Sequence, residues 1–215
     1  QPVVDYRELG LNACEQRSRQ FSLGNAGAGC GAVAGELKGG TGSASLFDPQ
    51  NDYTVGALAV VNSAGSPVMP GSSVFWAWPF EQQNELGGQL PPKHPENLEP
   101  HFPRNLGPAA HTTLVAVATD APLTSNQTKR LAIMAQDGLA RALRPVHAPQ
   151  DGDTVFALST TGTSDAGATV SIETLARLGA LAADCTARAI ARGVFEAEST
   201  TDTVSYQDKF IGNNN

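Results

Sequence analysis

Two kinds of apolar rhythm organise this chain. Tyr53–Val61 is almost continuously apolar, and Leu114–Thr119 and Val155–Thr160 are short runs of the same kind. Runs of that length, rich in Val, predict strands, and a shorter strand is predicted over Ser43–Leu46. The first of these, Tyr53–Val61, carries too little polar surface for a solvated face and is expected to be a buried central strand ending at Asn62. Elsewhere apolar residues recur at helical spacing. Tyr6, Leu9, Ala13 and Cys14 mark a short helix within residues 5–18. Leu131, Met134, Ala135, Leu139 and Leu143 mark a helix that Thr124 or Ser125 caps and Pro145 stops. Ile172, Leu175, Leu178, Ala182, Cys185 and Ala189 mark the last long helix, capped by Ser171.

Between these elements the pattern lapses in three places. Gly24–Gly35 is glycine-rich, so backbone is expected to pass close to other backbone there. It contains the loose dinucleotide-type spacing Gly27-Ala28-Gly29-Cys30-Gly31-Ala32, yet no apolar strand leads into it and no helical period follows, so packed turns are expected. From Ala64 to Ala110 no apolar period persists and nine of the chain's 14 prolines fall there, which predicts a long, functional or mobile loop. Glu198–Asn215 is polar and is expected to fray. Strands interleaved with helices over 215 residues predict one layered α/β domain.

Composition narrows the function classes. A net charge of −7 with no Lys/Arg stripe argues against a nucleic-acid partner. No apolar run approaches the roughly 18 residues that span a bilayer, so no membrane partner is expected. The N-terminus lacks a basic region followed by an apolar one. It also lacks an initiator Met, so upstream residues are expected to be missing from this sequence. Cys14, Cys30 and Cys185 are odd in number and unpaired in spacing, suggesting neither disulfide framework nor zinc site, and a reducing, cytoplasmic setting is the default. His94 and His101 in the proline-rich loop lack metal-ligand spacing. Neither cofactor nor metal is expected.

The polar residues at element boundaries carry the candidate chemistry. His111-Thr112-Thr113 puts two hydroxyls at the start of an apolar strand, directly after the long loop. Self-cleavage needs such a hydroxyl: it attacks the preceding carbonyl, and the cut frees an amine beside it, a nucleophile with its own base. Asn62 follows a strand, Asp151-Gly152-Asp153 precedes another, and Lys38 sits beside the glycine-rich segment. A nucleophile, an amide donor, two carboxylates and an ammonium suffice for acyl transfer. Each also has an ordinary structural reading, as strand starts, turns or a surface charge.

In their order and with their flanks, these pieces resemble a self-processing family: the L-aminopeptidase/D-amidase-esterases, β-peptidyl aminopeptidases and nylon-oligomer hydrolases. The resemblance runs through Gly27-Ala28-Gly29 to Leu37-Lys38-Gly39-Gly40-Thr41-Gly42, Val55 to Asn62, Thr112 to Ala121, Gly138-Leu139-Ala140-Arg141-Ala142, and Arg144-Pro145-Val146-His147 to Phe156. It implies a four-layer α/β/β/α sandwich with an N-terminal-nucleophile site. It also implies cleavage before Thr112 into an α part, residues 1–111, and a β part, residues 112–215, assembled as a homo-oligomer of processed α/β heterodimers. Carried over by position, Thr112 is the nucleophile, Asn62 an oxyanion donor, and Asp151 and Asp153 orient the Thr112 hydroxyl and amine. Lys38 balances their charge. Family members with Thr usually carry Asn before it where this chain has His111, and they have about a hundred further residues upstream. His147 is read as fixing the turn before Asp151 rather than as a triad member.

The implied activity is hydrolysis of small amides or peptides: β-amino-acid amides, peptides with an unhindered N-terminus, or 6-aminohexanoate oligomers. Acyl transfer to an amine, as in the ornithine acetyltransferases, is the alternative within enzymes. An uncut relative kept for binding or assembly is the alternative outside them.

Overall fold

The computed structural model describes residues 5–93, 98–99, 111–161 and 169–212. Helix α1 (Tyr6–Glu15) comes first, then a hairpin of β1 (Val33–Ala34) and β2 (Leu37–Lys38). A four-stranded sheet is built from β3 (Gly40–Asp48), β4 (Tyr53–Val61), β5 (Leu114–Thr119) and β6 (Thr154–Ser159), in the order β3-β4-β5-β6. Helices α2 (Ser125–Ala135) and α3 (Asp137–Ala142) lie between β5 and β6 in sequence, and α4 (Ile172–Phe195) and α5 (Tyr206–Phe210) follow β6. The β3–β4 and β4–β5 pairs are antiparallel, and β5–β6 is parallel, with α2 and α3 in the crossover that a parallel pair requires.

The core lies between the sheet and the helices. Val55, Ala57, Ala59 and Val61 of β4 and Val115 and Val117 of β5 are buried on the face that receives Leu178, Ala182, Cys185, Ala189 and Ile190 of α4. Strand and helix approach so closely that a Cβ on Gly42 would fall 2.0 Å from the Ala189 carbonyl oxygen. Alanine and glycine on α4 therefore set the layer spacing. The long helix starts as its sequence predicts, with the Ser171 hydroxyl accepting from Thr174 N–H. Thr124 caps α2 and forms a reciprocal box with Gln127. The single helix expected up to Leu143 is divided: its continuation α3 begins after Gln136, where Gly138 is pressed to within contact of Ala183 and Thr186 of α4.

Three expectations are corrected. First, β4 is central but not covered on both faces: its burial alternates, and Leu58 is 40% exposed. Leu58, Ala116 and Phe156 stand in register across β4, β5 and β6 on the face away from the helices, with Leu114 and Leu158 beside them. Among the described residues the sheet is a two-layer structure with one open apolar face, because β4 is apolar on both sides while helices cover only one.

Second, residues 64–93 of the proline-rich stretch make defined contacts, although the sequence has no period there. Hydrogen bonds replace a repeating pattern: the Glu81 carboxylate accepts from the N–H groups of Leu86, Gly88 and Gln89, and Phe75, Ala77 and Leu86 enter the core. Arg188 of α4 clamps this loop, with Nε 2.5 Å and Nη2 2.9 Å from the Glu85 carboxylate and Nη1 on the Ser45 carbonyl. Both side chains are nearly buried, and removing Arg188 leaves Glu85 with the longer contact to Arg192 Nε at 3.6 Å. Arg188→Ala is expected to cost at most about 3 kcal/mol, the low end for breaking a buried pair, read as a fall in the midpoint of urea unfolding. His94 and His101, like the rest of the segment to Ala110 apart from Leu98 and Glu99, lie outside the described residues.

Third, the polar tail does not fray at Glu198. Tyr206 of α5 is buried, its ring centroid 4.5 Å from Phe75 and 5.5 Å from Phe195. Conversely α1 forms as its period predicts, capped by Asp5, but buries none of its residues.

Candidate active site

The sheet topology alone gathers the boundary residues. Because β4 runs antiparallel to β5, its C-terminal end and Asn62 lie beside the start of β5. Because β6 runs parallel to β5, the residues leading into β6 flank that same end from the other side. The registers Val60 with Leu114 and Leu114 with Thr154 fix the alignment. Asn62, His111-Thr112-Thr113 and Asp151-Gly152-Asp153 are thus brought together; Lys38 is not joined to the two aspartates.

The His111–Thr112 peptide group is gripped on both sides. Its N–H, on Thr112, donates to the Asn62 carbonyl at 2.6 Å, and its carbonyl, on His111, accepts from the Gly152 N–H at 2.7 Å. A parallel bridge between His111 and Asp151 extends the β5–β6 ladder past the strand ends. The Thr112 hydroxyl lies over Gly152: a Cβ there would be 2.5 Å from Oγ1. Only glycine leaves that space open. The Asn62 side chain is oriented by a contact that the sequence gives no means of finding, its Oδ1 accepting from Val33 N–H at 3.0 Å, which assigns Nδ2 as the donor end.

Asp153 is the better held of the two aspartates. Its Oδ1 accepts from Thr113 N–H at 2.8 Å, its Oδ2 lies 3.1 Å from His147 Nδ1, and its side chain is only 2% exposed. Burial, helped by the nearby Asp151 charge, raises its pKa above the ordinary aspartate value, against the lowering effect of Thr113 N–H and of His147. His147, with a φ of 53° in the left-handed region, turns the chain so that its ring and its N–H both address Asp153. Asp151 accepts from Ala148 N–H at 2.9 Å through Oδ2, while its Oδ1 is buried with no hydrogen-bond partner among the described residues. His111 Nε2 and Thr113 Oγ1 share that condition. An unmet buried polar atom costs about 1–3 kcal/mol, and three of them fall on the residues around one peptide bond.

Lys38 has another task. Fully buried, its ammonium donates to the carbonyls of Gly29, Ala32 and Gly39 at 2.7, 2.9 and 2.7 Å. All three ammonium protons are thereby used on backbone, and no ion pair with Asp151 or Asp153 forms among the described residues. The charge-balancing contact expected of Lys38 is absent because the glycine-rich loop, whose carbonyls point inward, encloses it. Burial holds its pKa below the usual lysine value. The loop itself makes a 3₁₀ turn at Gly27–Gly29, with no strand leading into it and the short strand β1, rather than a helix, following it. Among the described residues no group of three or more His, Cys, Asp or Glu side chains is placed to hold a metal ion.

Residues 5–206 match Peptidase family S58. The chain belongs to that family. An uncharacterized aminopeptidase of Mycobacterium bovis is 40% identical to this S58 chain over 221 residues, covering 98% of the chain and 62% of the mycobacterial protein. A β-peptidyl aminopeptidase of Sphingosinicella microcystinivorans is 32% identical over 160 residues, 71% of the chain and 38% of that protein. Among solved structures, an L-aminopeptidase D-Ala-esterase/amidase of Ochrobactrum anthropi, described as a variant of the Ntn-hydrolase fold, superposes with a TM-score of 0.61 at 25% identity. That match covers 88% of this chain and 51% of the other. This S58 chain therefore has the mixed α/β fold of Ntn-hydrolase relatives and spans less than two thirds of the length of the relatives it matches.

Proposed function

We propose that this protein is a self-processing amide hydrolase in which Thr112 first cuts its own chain after His111 and then serves as the nucleophile for small amide or peptide substrates. The observation that carries the reading is the doubly held His111–Thr112 peptide, with the Thr112 hydroxyl over Gly152 and two carboxylates around it. Holding the amide nitrogen against the Asn62 carbonyl leaves an acceptor waiting for the amine that a cut would release. An amine of pKa ~8 is about one-tenth unprotonated at pH 7, a fraction sufficient for a general base. Asp153, ionised, serves as its counter-charge and Asp151 as an orienting acceptor. Asn62 Nδ2 supplies a donor for the oxyanion formed during turnover. Lys38 acts at a distance, by fixing the glycine-rich loop whose Val33 N–H aims Asn62.

Substrates in this reading are short amides with an accessible amino terminus, including β-amino-acid amides and 6-aminohexanoate oligomers, and the working particle is a homo-oligomer of cut heterodimers. The names of the relatives speak for hydrolysis over acyl transfer. The test is the mass of the denatured, full-length protein. A fragment whose N-terminal residue is Thr112, together with one ending at His111, is expected. A chain that stays whole through prolonged incubation at neutral pH would sink the self-processing reading.

A further inference from the structure

We infer that the backbone N–H of Gly152 is the oxyanion donor of self-cleavage, a role distinct from that of Asn62 in turnover. The inference rests on the self-processing reading above. In the cut, Thr112 Oγ1 bonds to the His111 carbonyl carbon and the carbonyl π pair moves onto the His111 oxygen. The hydroxyl proton passes to the Thr112 nitrogen, the C–N bond breaks, and water then hydrolyses the resulting ester. Negative charge therefore gathers on one atom, the His111 oxygen. Among the described residues the hydrogen-bond donor on that atom is Gly152 N–H, at 2.7 Å.

Two features make this more than an ordinary ladder bond. The donor is in place before reaction, so no reorganisation is required as charge develops. The residue that supplies it is also the one over whose Cα the attacking hydroxyl sits, where a Cβ would fall 2.5 Å from Oγ1. Gly152 thus leaves room for the nucleophile and offers the donor in one residue, which any other amino acid would do only by displacing the hydroxyl. Asn62, by contrast, meets the scissile peptide through its backbone carbonyl, on the nitrogen side.

The test replaces one hydrogen-bonding N–H with an ester oxygen and leaves every side chain unchanged. In cell-free synthesis of the full-length chain, glycolic acid placed at position 152 by nonsense suppression converts that amide to an ester. The half-time for appearance of the Thr112 N-terminus is then followed by mass spectrometry. A comparison chain carries the α-hydroxy analogue of Thr154, whose N–H makes the next ladder bond, to the Thr113 carbonyl at 3.0 Å. We expect the substitution at 152 to slow cleavage on the order of a hundredfold and the one at 154 to slow it less than about tenfold. Equal slowing at both sites would mean that the bond only supports the sheet, and no slowing at 152 would mean that another group holds the charge; either overturns the inference while leaving self-processing intact. Failure of the unaltered chain to cut would instead remove the self-processing reading itself.

Discussion

Thr112→Ala is expected to leave a single uncut chain and to lower amide hydrolysis by about 10⁴-fold or more, the scale seen when a catalytic nucleophile is removed. Two losses coincide in this variant. Without Oγ1 nothing attacks the His111 carbonyl, and without the cut no free amine exists to act as base. The replacement itself is mild for the fold: Thr112 Oγ1 makes no described structural hydrogen bond, and the backbone bonds from Thr112 N–H and to the His111 carbonyl do not involve the side chain. The unfolding midpoint of the alanine chain should therefore stay near that of an uncut parent. Thr112→Ser supplies the control, since it keeps the hydroxyl while losing the methyl group that stiffens χ1; it should still cut, within about tenfold of the parent rate. A Thr112→Ala protein that is cut, or that hydrolyses amides normally, would refute the assignment.

Asp153→Asn is expected to reduce turnover by at least about a hundredfold and to abolish the lower of two acid limbs in the pH–rate profile, the upper one being protonation of the Thr112 amine. In the parent the lower limb should sit above 3.8, the ordinary aspartate value, because burial and Asp151 raise the carboxyl's pKa. Activity needs the ionised form, so it falls as pH drops through that raised value. Stability runs the other way. A carboxyl whose folded pKa exceeds its unfolded one contributes stability that is complete below the unfolded value and is lost as pH rises through the folded value. At neutral pH the ionised Asp153 is then a local burden. The asparagine variant, whose amide oxygen can still accept from Thr113 N–H, should match or exceed the parent's unfolding midpoint. Lower activity with undiminished stability is the joint result to look for, by kinetics from pH 3 to 8 and thermal unfolding at pH 7. A lower acid limb that persists in the asparagine variant would assign it to another group.

The elements with a strong period were legible from sequence, and so was the meeting of four candidate residues at one end of the sheet. Tyr53–Val61 is a strand over the residues its apolar run defines, and the Ser171 and Thr124 caps begin helices where they stand. Thr112, Asn62, Asp151 and Asp153 could be singled out because each abuts such an element, and a β4–β5–β6 arrangement places those boundaries at one edge. Lys38 was misleading for a physical reason: a lysine beside glycines reads as a free charge, and only the folded loop reveals three carbonyls converging on it. The contacts in residues 64–93 were hidden because Glu81 works through local hydrogen bonds to a following turn and Glu85 through a long-range pair with Arg188, and neither leaves a period. Gly152 was visible only as a spacer between two acids, since a backbone N–H has no letter in the sequence.

The placement of β4 and β5 has a last consequence. A cut before Thr112 would put β3 and β4 in one fragment and β5, β6 and α4 in the other, yet β4 pairs with β5 along six residues and α4 packs on both β3 and β4. The two products would share a single core, neither owning enough of it to stand alone. Breaking the covalent link would therefore release no partner; it would turn an intramolecular fold into an obligate complex, whose halves could be exchanged only by passing through the unfolded state.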